Sequence, residues 1–255
     1  MDSLTRLTSS VGLGSSKPLS LSLRKLELRR MRSLEKWTGA AMNSSTLISP
    51  VLETLSIYDC PKIIILDEHH LHPLVKLHIE NCTNLESIRS LQGLTSLEHL
   101  EIIFCSSLIG IPDLHNLGGS LRELDIVHCD KLTSLPSGFD CLTLLRRLEL
   151  VRFSKELNCF PSLKGIEKLR SNLRSLALYG WSHWESIPEE VKHLESLESL
   201  DILEFGIPEI PMWLTNMSSI KRIHFYDCPG LNAESVLKGA PREAEYVSLD
   251  GERLR

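Results

Sequence analysis

The sequence predicts an α/β solenoid, a stack of short turns each giving one strand to a shared parallel sheet. Three observations predict it. An apolar pattern recurs along nearly the whole chain, its internal spacing switches from strand to return, and a cysteine falls in the same slot of one copy after another. The pattern is L-x-x-L-x-[LI]-x-x-C-x-x-[LI], set out by Leu52, Leu55, Ile57, Cys60 and Ile63 and repeated by Leu74, Leu77, Ile79, Cys82, Leu85 and Ile88. Further copies start at Leu97, Leu121, Leu145, Leu173, Leu197 and Ile220, with an earlier one at Leu23 and a frayed one at Ala244. Successive first positions are 29, 22, 23, 24, 24, 28, 24, 23 and 24 residues apart. Units of this length and leucine pattern are leucine-rich repeats.

The local periods assign the elements. Within L-x-x-L-x-L the second and third apolar positions lie two apart, the strand period. The following apolar positions, as in Leu132, Leu135, Phe139, Leu142 and Leu145, step by three or four, which suits a short 3₁₀ or irregular return. A horseshoe-like solenoid follows, with a parallel concave sheet and irregular or 3₁₀ convex returns. Prolines close several strands' outward bend, at Ile111-Pro112, Leu135-Pro136, Ile187-Pro188 and Ile210-Pro211, where their fixed φ shapes a turn. The two longest intervals hold extra residues, 39–50 and 154–165, expected as bulges on the return side. Residues 1–22 match the pattern poorly. Residues 23–255 are expected to form a single domain of about nine to ten repeats, with a polar C-terminal cap near 241–255.

Bulk properties narrow the partners. A net charge of −5 gives no basic surplus for phosphate, so neither nucleic acid nor an anionic membrane is expected as a partner. The start at Met1 has no basic stretch followed by an apolar one, and no segment approaches the ~18 apolar residues of a spanning helix. Together with an odd number of cysteines, seven, this predicts a cytoplasmic protein with reduced thiols.

Cys60, Cys82, Cys105, Cys129 and Cys228 follow the repeat period and form no C-x-x-C pair, so they read as small buried residues and not as zinc ligands. Cys141 and Cys159 fall in returns and carry no pattern. His69, His70 and His72 read as a solvated loop. Gly12-x-Gly14-Ser15-Ser16-Lys17 lacks the spacing of a phosphate loop. No nucleophile elbow or zinc-protease helix is present. No enzyme, cofactor or metal is expected.

Function is therefore sought on the sheet's open face. Counting each copy from its first leucine, positions three, five, seven and eight point away from the core. The fifth-position column carries an acidic stripe, Glu101, Asp125 and Glu149, with Lys25, Lys76, His99, Arg147 and Arg222 beside it in the third. The seventh-position column runs Ile103, Val127, Val151, Tyr179, Leu203 and Tyr226 over six consecutive turns, with Phe104 alongside. An apolar ridge at a position normally open to solvent is expected to be a contact surface.

The repeat Leu121-Arg122-Glu123-Leu124-Asp125-Ile126-Val127-His128-Cys129-Asp130-Lys131-Leu132-Thr133-Ser134-Leu135-Pro136, with its cysteine and L-P step, resembles the C-terminal repeat region of plant nucleotide-binding, leucine-rich-repeat disease-resistance proteins. The resemblance covers roughly Leu23 onward. It implies a recognition module that acts in the defence response. Its implied partners are a pathogen effector, a guarded host protein or the receptor's own nucleotide-binding domain, and it is expected to be monomeric in isolation. The family's nucleotide-binding and signalling domains do not occur in these 255 residues, which suits a fragment or a truncated product. The alternative is a leucine-rich-repeat scaffold such as a ubiquitin-ligase substrate receptor, although its adaptor-binding helical motif is not seen.

Overall fold

In the computed structural model the described residues are 4–8, 23–32, 36–37, 51–61, 65–66, 73–88 and 90–255, with the backbone alone described for 4–8, 36–37 and 65–66. The glycine-rich segment 12–17, the histidines at 69, 70 and 72 and the inserted loop 39–50 lie outside them. Along the chain come β1 (Leu4–Thr8), β2 (Lys25–Arg29), β3 (Lys36–Trp37), β4 (Thr54–Tyr58), β5 (Ile65–Leu66), β6 (Lys76–Glu80) and β7 (His99–Ile103). Then follow β8 (Glu123–Val127), β9 (Arg147–Val151), β10 (Ser175–Tyr179), β11 (Ser199–Leu203), β12 (Arg222–Tyr226), β13 (Tyr246–Leu249) and β14 (Glu252–Arg253). Short helices α1 (Met212–Thr215) and α2 (Ala233–Gly239) lie between the last strands.

One twelve-stranded sheet takes the order β1-β2-β4-β6-β7-β8-β9-β10-β11-β12-β13-β14, all parallel up to β13. β3 and β5 pair separately, also in parallel. Because every turn carries its leucines at the same offsets, the register never slips. Leu26, Leu55, Leu77, Leu100, Leu124, Leu148, Leu176, Leu200, Ile223 and Val247 stand in one cross-strand row. The alternation of apolar and polar residues puts this row on the core side, where each member is at most 1% exposed. Burying a side chain of this size contributes about 1.5–3 kcal/mol, and a slip of one residue would turn the whole row outward. The fold is a leucine-rich-repeat solenoid, with 3₁₀ turns at His115–Leu117, Phe139–Cys141, Ile166–Leu169 and Glu189–His193 on the returns.

The cysteine slot works as expected. Cys60, Cys82, Cys105, Cys129 and Cys228 are buried and unbridged. Each thiol points at the carbonyl two residues back, as Cys60 Sγ does to Tyr58 O at 3.3 Å and Cys228 Sγ to Tyr226 O at 3.5 Å. That same carbonyl, at position seven, also accepts the position-eight N–H of the preceding turn, as with Phe104 N to Val127 O at 2.9 Å. A small, apolar, weakly donating side chain fits this crowded corner. Position eight makes the bend by entering the left-handed region. Arg30, Asp59, Asn81, Phe104, His128, Arg152, Glu204, Asp227 and Asp250 all have φ between 49° and 59°.

The inserted segment 154–165 does more than bulge. It sends Phe160 and Leu163 into the core, where the Phe160 ring meets Phe153 (5.5 Å between centroids), Trp184 (5.6 Å) and Phe205 (5.9 Å). At the C-terminal end, Asn232 and Ser235 cap α2 reciprocally. β14 then folds back antiparallel on β13, and Arg255 Nη1 donates to Pro241 O at 3.0 Å. Among the described residues no helix is long and apolar enough to cross a membrane.

Candidate functional site

The parallel register carries the predicted ridge into a real cross-strand ladder. Ile103 pairs with Val127, Val127 with Val151, Val151 with Tyr179, Tyr179 with Leu203 and Leu203 with Tyr226. The preceding turns place Arg29, Tyr58 and Glu80 in the same row, so charged side chains occur only on the first three turns and the next six are apolar or aromatic. The six are not equally open to solvent. Val151 is buried, at 4% exposure, a short side chain flanked on the next strand by the longer Tyr179. Ile103, Val127, Tyr179 and Leu203 are half-buried. Only Tyr226 (52%) and, beside the ladder, Phe104 (47%) stand well clear.

Phe104 owes its exposure to position eight, where the left-handed backbone swings the ring out of the strand's alternation. It stacks on His128 of the next turn, with 4.8 Å between centroids and 16° between planes. One turn further Arg152 pairs with Glu204 and lies 5.1 Å from the Trp181 ring. Burial, with Arg152 nearby, pushes the His128 imidazole below its ordinary value, so it stacks as a neutral ring. Reading down position eight in the sequence would have found His128 and Arg152.

The acidic stripe is not a column of free charges. Glu101 is held by His78 and by Lys76, the latter at 2.6 Å, and its carboxyl is drawn down to about 2 chiefly by the His78 hydrogen bond. His78 is itself 8% exposed and also meets Glu80 at 2.9 Å. Burial pulls its imidazole down, but the two glutamates outweigh it and the net shift is upward. Arg147 spans the next two acids, reaching Asp125 at 2.8 Å and pairing with Glu149. Burial nonetheless raises both carboxyls above their ordinary values, as it raises Asp201 against the pull of His224 and Arg222. Asp125 is 8% exposed, so position five is not uniformly an outward position. Repulsion along the stripe is relieved by Lys76 and Arg147 of the third-position column and by His78 within the fifth.

The apolar half of the ladder ends in a hollow of about 320 Å³, lined by Tyr179, Asp201, Leu203, His224, Tyr226 and Ser248. His224 donates to or accepts from Ser248 Oγ at 2.9 Å and lies 4.0 Å from Asp201. Burial, with Glu149 and Asp201 beside it, keeps the Tyr179 hydroxyl protonated by raising its pKa. The hollow thus offers two phenol rings, one carboxylate and an imidazole on an apolar floor. Its chemistry is that of anchoring a side chain by shape and hydrogen bonds. Ser248 is the fifth position of the frayed copy that starts at Ala244, in the same column as Asp201 and His224.

No family model and no curated protein matches the chain. Among solved structures it is similar to a leucine-rich-repeat protein of Leptospira interrogans, at 17% identity and a TM-score of 0.40, over 90% of this chain and 67% of that one. It is also similar to the plant peptide hormone receptor RGFR1 in complex with RGF2, at 13% identity and a TM-score of 0.18. The match to that receptor spans 91% of this chain and 64% of the receptor chain.

Proposed function

We propose that the chain is the protein-recognition module of an intracellular plant immune receptor, and that its partner docks on the ladder from Ile103 to Tyr226. The extended sheet face of a repeat solenoid is a protein-interaction surface. The observation that carries the assignment is the in-register row of six consecutive apolar or aromatic side chains from Ile103 to Tyr226, ending at the hollow beside Tyr226. The resemblance of the cysteine-bearing repeats to the plant disease-resistance receptors supplies the class of partner. It is a pathogen effector, a guarded host protein or the receptor's own nucleotide-binding domain. Phe104 and Tyr226 supply exposed aromatic anchors, and the half-buried Ile103, Val127, Tyr179 and Leu203 supply the floor between them. Glu101, Asp125 and Glu149, braced by Lys76, His78 and Arg147, line the flank and set register.

The test compares wild type with Tyr226→Ala and Phe104→Asn, each checked for cooperative unfolding. The probes are plant extracts challenged with pathogen and a receptor nucleotide-binding domain supplied in trans. Aromatic hot spots contribute about 2 kcal/mol or more, so each variant is expected to lose ~30-fold in affinity for the captured partner. Unchanged affinity in both variants rejects the ladder as the docking surface.

A further inference from the structure

Stacking creates a cluster that the sequence spacing hides. Asp140 and Cys141 are neighbours in the 3₁₀ turn Phe139–Cys141, and His115 opens the 3₁₀ turn His115–Leu117 of the previous return. Ligand atoms of His115, Asp140 and Cys141 all lie within 4.8 Å of one another. The sequence expectation of no metal rested on the lack of a C-x-x-C pair or other close pair of ligands around the repeat cysteines. It did not count a ligand from the turn beneath.

The surroundings hold the two returns in this contact. Gly138 takes φ 95°, and a Cβ there would sit 2.8 Å from His115 N and 3.0 Å from His115 Nδ1. A Cβ on Gly118 would sit 2.4 Å from Cys141 O. Both positions therefore need glycine for the turns to close. Asp113 accepts from His115 N at 2.8 Å and meets the ring at Nδ1, while Ser137 of the next turn donates to its other oxygen. A carboxylate fixed on one imidazole nitrogen leaves the other to ligate, the arrangement that commonly orients metal-bound histidines.

We propose that His115, Asp140 and Cys141 bind a borderline divalent transition metal, Zn²⁺ or Co²⁺, with Asp113 positioning the imidazole and water filling the fourth place. One nitrogen, one oxygen and one sulfur donor select such an ion over Ca²⁺ or Mg²⁺, which take oxygen ligands. Bonds of about 2.0–2.3 Å require the donors to draw closer than they stand here. With the imidazole held by Asp113, rotation of the exposed Asp140 side chain and of the Cys141 thiol toward it would provide this. As the sulfur–metal bond forms, the thiol proton passes to solvent and no electron is transferred. The bound ion would tie two successive returns together opposite the recognition face.

The probe is Co²⁺ added to the reduced full chain. One equivalent is expected to give the near-ultraviolet sulfur-to-cobalt charge-transfer band. Cys141→Ser should abolish the band, Cys159→Ser should keep it, and Asp140→Asn should weaken binding while the thiol remains. Asp113→Asn should lower affinity about tenfold through the misplaced imidazole. Zn²⁺ should raise the thermal midpoint of wild type and leave that of Cys141→Ser unmoved. A band that survives in Cys141→Ser, or cobalt taken up without any band, overturns the assignment.

Discussion

At the scale of the residue, position eight shows most clearly where local preference yields to the fold. Asp59, Asn81, Asp227 and Asp250 enter the left-handed region with little difficulty, but Arg30, Phe104, His128, Arg152 and Glu204 do so as well. A side chain of the latter kind costs about 1–2 kcal/mol there. Arg30→Asn should therefore raise stability by roughly 0.5–1 kcal/mol, since the lost ion pair to Asp59 is exposed and contributes little. Phe104→Asn should be near neutral, because relief of strain is offset by the lost stack on His128. Urea midpoints of the two variants check the contrast. Residue type agrees with the bend only at the Asp and Asn positions. At Phe104 and Arg152 the residue type argues against it, and only the closing of the turn imposes it. The Glu101 cluster makes a pH prediction. Glu101 lies below its ordinary 4.5, so its stabilisation is present above that value and is lost as pH falls toward about 2. His78 lies above its ordinary 6.5, so its stabilisation is complete below that value and is lost as pH rises through the shifted one. The stability difference between wild type and Glu101→Gln should peak between pH 4.5 and 6.5 and shrink on both sides.

At the scale of the element, strand and return were legible because leucine spacing reports backbone period directly. Exposure along the ridge was not. Which side chain of a row is covered depends on how far its cross-strand neighbours reach, and that is a property of three turns together. Val151 shows the consequence. Val151→Asp buries a charge and should cost roughly 2–3 kcal/mol, whereas Tyr226→Ala should change stability by no more than ~0.5 kcal/mol. Unfolding curves for the pair would separate loss of fold from loss of recognition. The segment 154–165 teaches the same lesson in the core. Its extra length suggested an outward bulge, yet Phe160 sits among Phe153, Trp184 and Phe205. Phe160→Ala should cost about 3–5 kcal/mol by leaving a cavity.

At the scale of the whole molecule, stability runs along one dimension, since each turn rests on its two neighbours. The sheet begins with β1, where Thr5 stands at the register position that Leu26 occupies in β2. Thr5 here, and Asp2 three residues before it where the pattern has its first leucine, account for the poor fit of 1–22 in sequence although its strand joins the sheet. At the other end β14 covers the edge of β13. Deleting residues 251–255 should bare that edge, so hydrogen exchange should quicken in β13 first, then in β12, while β7 and β8 keep their protection. The unbroken register also has a consequence for whatever binds. Rungs about 4.8 Å apart make the ladder a ruler, and an extended strand, whose like-facing side chains recur every ~6.6 Å, falls out of step at once. An α-helix advances about 5.4 Å per turn and drifts by only ~0.6 Å per rung. A helix lying along the ladder can therefore set a side chain on each of three or four successive turns, and a ligand strand cannot.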